Sequence, residues 1–151
     1  MQKLLSVFLV MAGMIFLSSC CGCRGAKSTN PHFLTGNSWK LVELYGVQEI
    51  AVDNNELFTI TFEPAEHKVS GVAACNRYFG TYSEADVRKL TLGQMGTTRM
   101  MCRNMQQESE FLKMLGEVDS YTIDGDMLIL QKDGEVISIF QALPAGVNNA
   151  E

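Results

Sequence analysis

The sequence predicts a mainly β domain, either a small antiparallel barrel or a strongly curved sheet, with one helix covering an end or face. Three observations carry this reading. Phe58-Thr59-Ile60-Thr61-Phe62 alternates apolar and polar residues with period two. Asp124-Gly125 and Asp133-Gly134 separate three β-rich runs, as tight hairpins require. A single stretch, Met105 to Leu115, carries helical rather than alternating periodicity.

Before the domain comes an address. Lys3 precedes an almost unbroken apolar run from Leu4 to Leu17, followed by Leu17-Ser18-Ser19-Cys20. A run of fourteen positions is short for a bilayer-spanning helix, which needs about twenty residues, so residues 1–19 read as a signal peptide. The Leu-Ser-Ser-Cys ending looks like a bacterial lipobox, which makes Cys20 the residue that is acylated and becomes the new N-terminus. Cys21 and Cys23 lack an apolar residue three positions upstream and fit that role less well. No acidic residue follows from Cys21 to Ala26, so the expected location is the outer membrane facing the periplasm, with the lipid as membrane contact.

Residues 20–33 are rich in breakers and read as a lipidated tether, and the domain spans 34–143. Its first strand places Trp39, Leu41 and Glu43 on one face, with Trp39 packed in the core. Gly46 to Glu56 is a polar connection, Phe58 to Phe62 the second strand, and Glu63-Pro64-Ala65-Glu66-His67 a turn. Lys68 to Cys75 and Tyr78 to Tyr82 follow as strands. Gly71 inside the first of them implies a bulge or the close approach of another backbone. Leu90-Thr91-Leu92 is a short strand and Gly93 to Gly96 a loop.

The helix is capped by Asn104, buries Met105, Phe111, Leu112 and Leu115, turns Glu108 and Glu110 to solvent, and stops at Gly116. Val118 to Ile123, Met127 to Lys132 and Val136 to Ala142 form a meander with type I′ turns at both Asp-Gly pairs. Residues 144–151 read as a disordered tail.

The chemistry is sparse. A net charge of −5 and the lack of any Lys/Arg run argue against nucleic acid as a partner. The two histidines, His32 and His67, fall in the tether and a turn, and no nucleophile elbow, phosphate loop or His-Glu-x-x-His helix occurs. No catalytic residue, metal ligand or cofactor is assigned. Cys75 and Cys102 read either as one disulfide, suited to an oxidising compartment, or as two buried thiols. Met95, Met100, Met101, Cys102 and Met105 read as gap-fillers around the helix, with a soft Cu(I) site as the sharper alternative. Arg77 and Arg99 read either as groups bonding carbonyls at the barrel end or as an anion-binding pair. Asn76 reads as a residue bonding its own turn.

These residues carry a resemblance. Trp39-Lys40-Leu41, Val69-Ser70-Gly71 leading to Cys75-Asn76-Arg77-Tyr78, Gly80-x-Tyr82, and Thr98-Arg99-Met100-Met101-Cys102 followed by Glu108-x-x-Phe111-Leu112 resemble the META domain of HslJ-like heat-shock lipoproteins. The resemblance implies a small conical β-barrel-like domain, often tethered to the envelope and linked to stress or antibiotic tolerance, with no established catalysis. Its motif positions fall on Gly71, Cys75, Asn76, Arg77, Thr98, Arg99, Met100 and Cys102. The expected function is noncatalytic binding of an envelope protein or small ligand. The alternatives are a metal- or redox-responsive protein using the Met/Cys cluster, and a carboxylate-based hydrolase.

Overall fold

A computed structural model describes residues 33–48, 57–103 and 105–144. The expectations for the signal peptide, Cys20, Cys21, Cys23, His32, the Asn104 cap and the tail beyond 144 lie outside the described residues. Nine strands and one helix follow in the order β1 Ser38–Leu44, β2 Leu57–Glu63, β3 Lys68–Ala74, β4 Asn76–Ser83, β5 Thr91–Leu92, β6 Gly96–Thr97, α1 Met105–Leu115, β7 Ser120–Asp124, β8 Met127–Lys132 and β9 Glu135–Ala142.

The strands form one antiparallel sheet ordered β5-β4-β3-β2-β1-β9-β8-β7, with β6 also paired to β4. It is a curled sheet, not a barrel closed by a full ladder. The curl brings its two edges together at one bridge, Lys89 with Ser120. There the Leu90 amide donates to the Asp119 carbonyl at 3.1 Å and the Tyr121 amide to the Arg88 carbonyl at 2.9 Å. Helix α1 fills the inside of the curl. The Phe111 ring lies 5.1 Å from Phe58, 5.7 Å from Tyr78 and 6.2 Å from Phe140, centroid to centroid. Trp39, Ile60, Leu128 and Leu130 are fully buried in the same core.

Four local expectations are corrected. In β1 a bulge between Leu41 and Glu43 shifts the alternation, so Leu44 turns inward where Glu43 was expected. Gly93 to Gly96 is not all loop, because Gly96 and Thr97 pair with Phe79 and Tyr78 as β6. Asp133-Gly134 has positive φ at both residues, 53° and 83°, as type I′ demands, but the other hairpin turns on Gly125-Asp126 with positive φ at Gly125 alone. The helix buries Phe111, Met114 and Leu115, while Met105 is 53% exposed. A stripe through 111, 114 and 115 continues backwards to Glu108, which therefore faces the sheet instead of solvent.

Gly71 meets the expectation of a close approach. It is the Cα partner of Tyr78, and an added Cβ would lie 2.0 Å from the Thr59 carbonyl oxygen and 2.8 Å from the Tyr78 hydroxyl. The Tyr78 hydroxyl donates to that carbonyl at 2.7 Å, and the Val72 amide turns to the Thr59 hydroxyl at 3.1 Å. Side chains thus replace the backbone rung that would join Thr59 to Val72. Burial pushes the Tyr78 hydroxyl well above its ordinary value, so it remains a neutral donor. Gly71→Ala is expected to cost about 3 kcal/mol or more, since backbone or a buried ring must move. Urea unfolding of the variant measures it, and a loss below about 1 kcal/mol would contradict this geometry.

Candidate functional site

The two cysteine-bearing segments meet at the β3–β4 hairpin. Ala73 and Asn76 are paired across a two-residue turn, Ala74-Cys75, in which Ala74 has φ 57°. That is left-handed backbone, and a Cβ there costs about 1–2 kcal/mol. Cys75 is bonded to Cys102, 27 residues away, with Cα atoms 5.6 Å apart. Closing a loop of that length removes roughly 3–4 kcal/mol of unfolded-chain entropy in the loop-closure model.

Asn76 is 2% exposed and does not bond its own turn. Its side-chain amide reads a strand that is distant in sequence. Nδ2 donates to the Met100 carbonyl at 3.0 Å while Oδ1 accepts from the Met100 amide at 2.8 Å. Oδ1 also accepts from the Thr98 hydroxyl at 2.8 Å. Nδ2 further faces both Glu108 carboxylate oxygens at 3.0 Å and the Cys102 sulfur at 3.3 Å. Thr98 completes the seam: its amide donates to the Arg77 carbonyl at 2.9 Å, and its hydroxyl accepts from the Arg77 amide at 3.0 Å. One amide thereby joins β4, the 98–102 segment and the first turn of α1.

The motif residues divide accordingly. Cys75, Asn76, Thr98 and Cys102, with the Met100 backbone, form this seam. Arg77 and Arg99 flank it with exposed side chains, and the Arg77 guanidinium has no ion pair or hydrogen bond among the described residues. Gly71 serves a different place, the Thr59–Tyr78 contact.

The methionines do not fill gaps around the helix as a group. Met100 is 55% and Met101 91% exposed, whereas Met95 packs on the core beside Gly80. The Cys102 sulfur is committed to the disulfide, and no group of three or more His, Cys, Asp or Glu able to hold a metal occurs among the described residues. His67 is an exposed turn residue with its ring 5.6 Å from Tyr82. Glu108 and Tyr78 also partner the motif residues, a role the motif alone does not assign to them. The spacing of Glu108 to Phe111 and Leu115, one helical stripe, was the signal for the first.

The META domain family model matches residues 32–143. The chain belongs to the META domain family. Among solved structures, an NMR structure of a protein from Burkholderia xenovorans shares 24% identity at TM-score 0.58, covering 80% of this chain and 96% of that one. A DUF4847 family protein from Bacteroides vulgatus shares 17% identity at TM-score 0.52, covering 73% and 93%. At these identities the likeness is one of fold. A search of curated proteins finds no match.

Two outcomes test the seam of this META domain. Ala74→Gly is expected to change stability by less than about 1 kcal/mol, because relief of left-handed strain is offset by added chain entropy and the loss of a buried methyl; a loss above about 2 kcal/mol by urea unfolding would contradict it. Asn76→Asp sets a second carboxylate against Glu108 in a buried site and is expected to cost about 3 kcal/mol near pH 7. Such a group binds its proton more tightly folded than unfolded. Stability relative to wild type should therefore be greatest near pH 4 and fall as pH rises towards 7. A flat difference between the two proteins across that range would rule it out.

Proposed function

We propose that this META protein is a noncatalytic bacterial envelope lipoprotein that captures a partner protein during envelope stress. Cys20 would carry the lipid, the 20–33 segment would act as tether, and the location would be the outer membrane facing the periplasm. The observation that carries the reading is how the motif spends its polar groups. The Asn76 amide, the Thr98 hydroxyl and both cysteine sulfurs are bonded to one another or to backbone. What the seam offers outward is Arg77, Arg99 and the exposed Met100 and Met101. A rigid edge with two guanidiniums beside adaptable apolar side chains suits a protein surface, because Arg and Met are enriched where proteins meet. No cofactor enters this reading.

Chemical crosslinking and pull-down from membranes, using the full-length protein, test it. Arg77→Ala/Arg99→Ala is expected to lose at least one crosslinked partner while its unfolding midpoint stays within about 0.5 kcal/mol of wild type. In the same fractionation, Cys20→Ala should leave the membrane fraction. An unchanged set of partners in the double variant would overturn the edge, and membrane retention of Cys20→Ala would overturn the tether.

A further inference from the structure

Outside the seam, the opened rung between β2 and β3 leaves a groove of about 400 Å³ on the outer face of the sheet. Ser38, Thr61, Ser70, Arg77 and Phe79 line it, over a floor of Thr59 and Tyr78. Its walls carry the hydroxyls of Ser38, Thr61 and Ser70 beside apolar Val72, with Ser38 and Thr61 bonded to each other at 2.9 Å. The floor is fixed, since Thr59 is 4% exposed and held by the Tyr78 hydroxyl and the Val72 amide. One guanidinium, that of Arg77, stands at the groove without an ion pair among the described residues.

One aromatic ring stands beside it. Phe79 is 63% exposed, and its ring is braced. It is the Cα partner of Gly96, and its ring lies so close that a Cβ on Gly96 would come within 2.8 Å of Cζ and 2.9 Å of Cε2. The ring therefore rests over the glycine with its remaining surface to solvent, and Phe79 also lines the groove.

We propose that this groove binds a carboxylate-bearing saccharide. A pyranose has one face of C–H groups suited to an aromatic ring and a rim of hydroxyls that both donate and accept, as serine and threonine do. The guanidinium fork matches a carboxylate in two parallel hydrogen bonds. Other ligand classes fit less well. A polyanion such as a phosphorylated chain would meet Arg77 as the one cation lining the groove, on a protein of net charge −5. An added peptide strand needs an open ladder edge, whereas this groove lies on a sheet face whose flanking strands pair with neighbours. The volume falls within the range of small-molecule sites and suits one or two sugar rings. The inference rests on the noncatalytic binding reading above but uses a different surface, which shares only Arg77 with the partner edge.

Saturation-transfer NMR and calorimetry on the full-length protein in detergent provide the test, with glucuronic acid, glucose and acetate as probes. Glucuronic acid is expected to bind with contacts to an aromatic ring, and at least tenfold more tightly than glucose or acetate. Arg77→Gln should weaken it about tenfold and Phe79→Ala about fivefold, while Arg99→Ala leaves it unchanged. Failure to bind glucuronic acid, or acetate binding equally well, overturns the saccharide site. So does binding that Arg77→Gln leaves unaffected. An effect of Arg99→Ala would place the ligand at the partner edge and also overturn the groove. Loss of partner capture in Arg77→Ala/Arg99→Ala with glucuronic acid binding absent in wild type would leave the edge standing and remove the groove alone.

Discussion

The domain depends on one side-chain amide doing the work of a backbone rung. The segment from Thr98 to Cys102 contains no strand beyond Thr97 and carries no helix, so its polar groups need partners from elsewhere. Asn76 supplies them, pairing with both the amide and the carbonyl of Met100 as a neighbouring strand would. The cysteine bond then holds the same two segments covalently, and Glu108 ties the helix to the amide. Because an asparagine amide carries two donors and two acceptor lone pairs, few other residues could serve both directions at once. Aspartate lacks the donor, and glutamine places it one methylene further away.

A second device recurs on the sheet. Twice a glycine faces an aromatic residue across a pair of strands, Gly71 with Tyr78 and Gly96 with Phe79. The consequences differ by face. Tyr78 is buried, packs on Phe111 and sends its hydroxyl to Thr59, opening the ladder between β2 and β3. Phe79, its neighbour in β4, takes the opposite face and stays largely exposed. Alternation along one strand thus turns one ring into core and the next into surface. The opened rung and the exposed ring come to share a groove.

Much of the architecture was legible because it is encoded over short distances. Period-two alternation found β2, the Asp-Gly pairs found the meander, and the glycine within β3 announced a close backbone approach. Elsewhere contacts between distant residues decide. The bulge in β1 is set by its pairing with β9 and reverses which of Glu43 and Leu44 turns inward. The inward stripe of α1 is chosen by the rings of Phe58, Tyr78 and Phe140, which draw in Phe111 and with it Met114, while Met105 remains outside. Asn76 looked like a turn residue since its type favours turns, and nothing nearby in the chain reveals an acceptor 24 residues ahead.

By itself, then, the sequence determined the class of fold and the order of most strands, because both follow from local dihedral preferences and from residue spacing within single segments. Its motif residues carried the resemblance to the family and left the pairing of Cys75 with Cys102 open. Only the tertiary structure decided that the sheet curls without closing, that Asn76 bridges three segments, that Cys75 bonds Cys102 across the seam, and that Arg77 stands beside Phe79 without an ion pair among the described residues. These depend on which faces meet once the chain has curled, and face-to-face placement is a property of the assembled sheet and helix rather than of any one stretch.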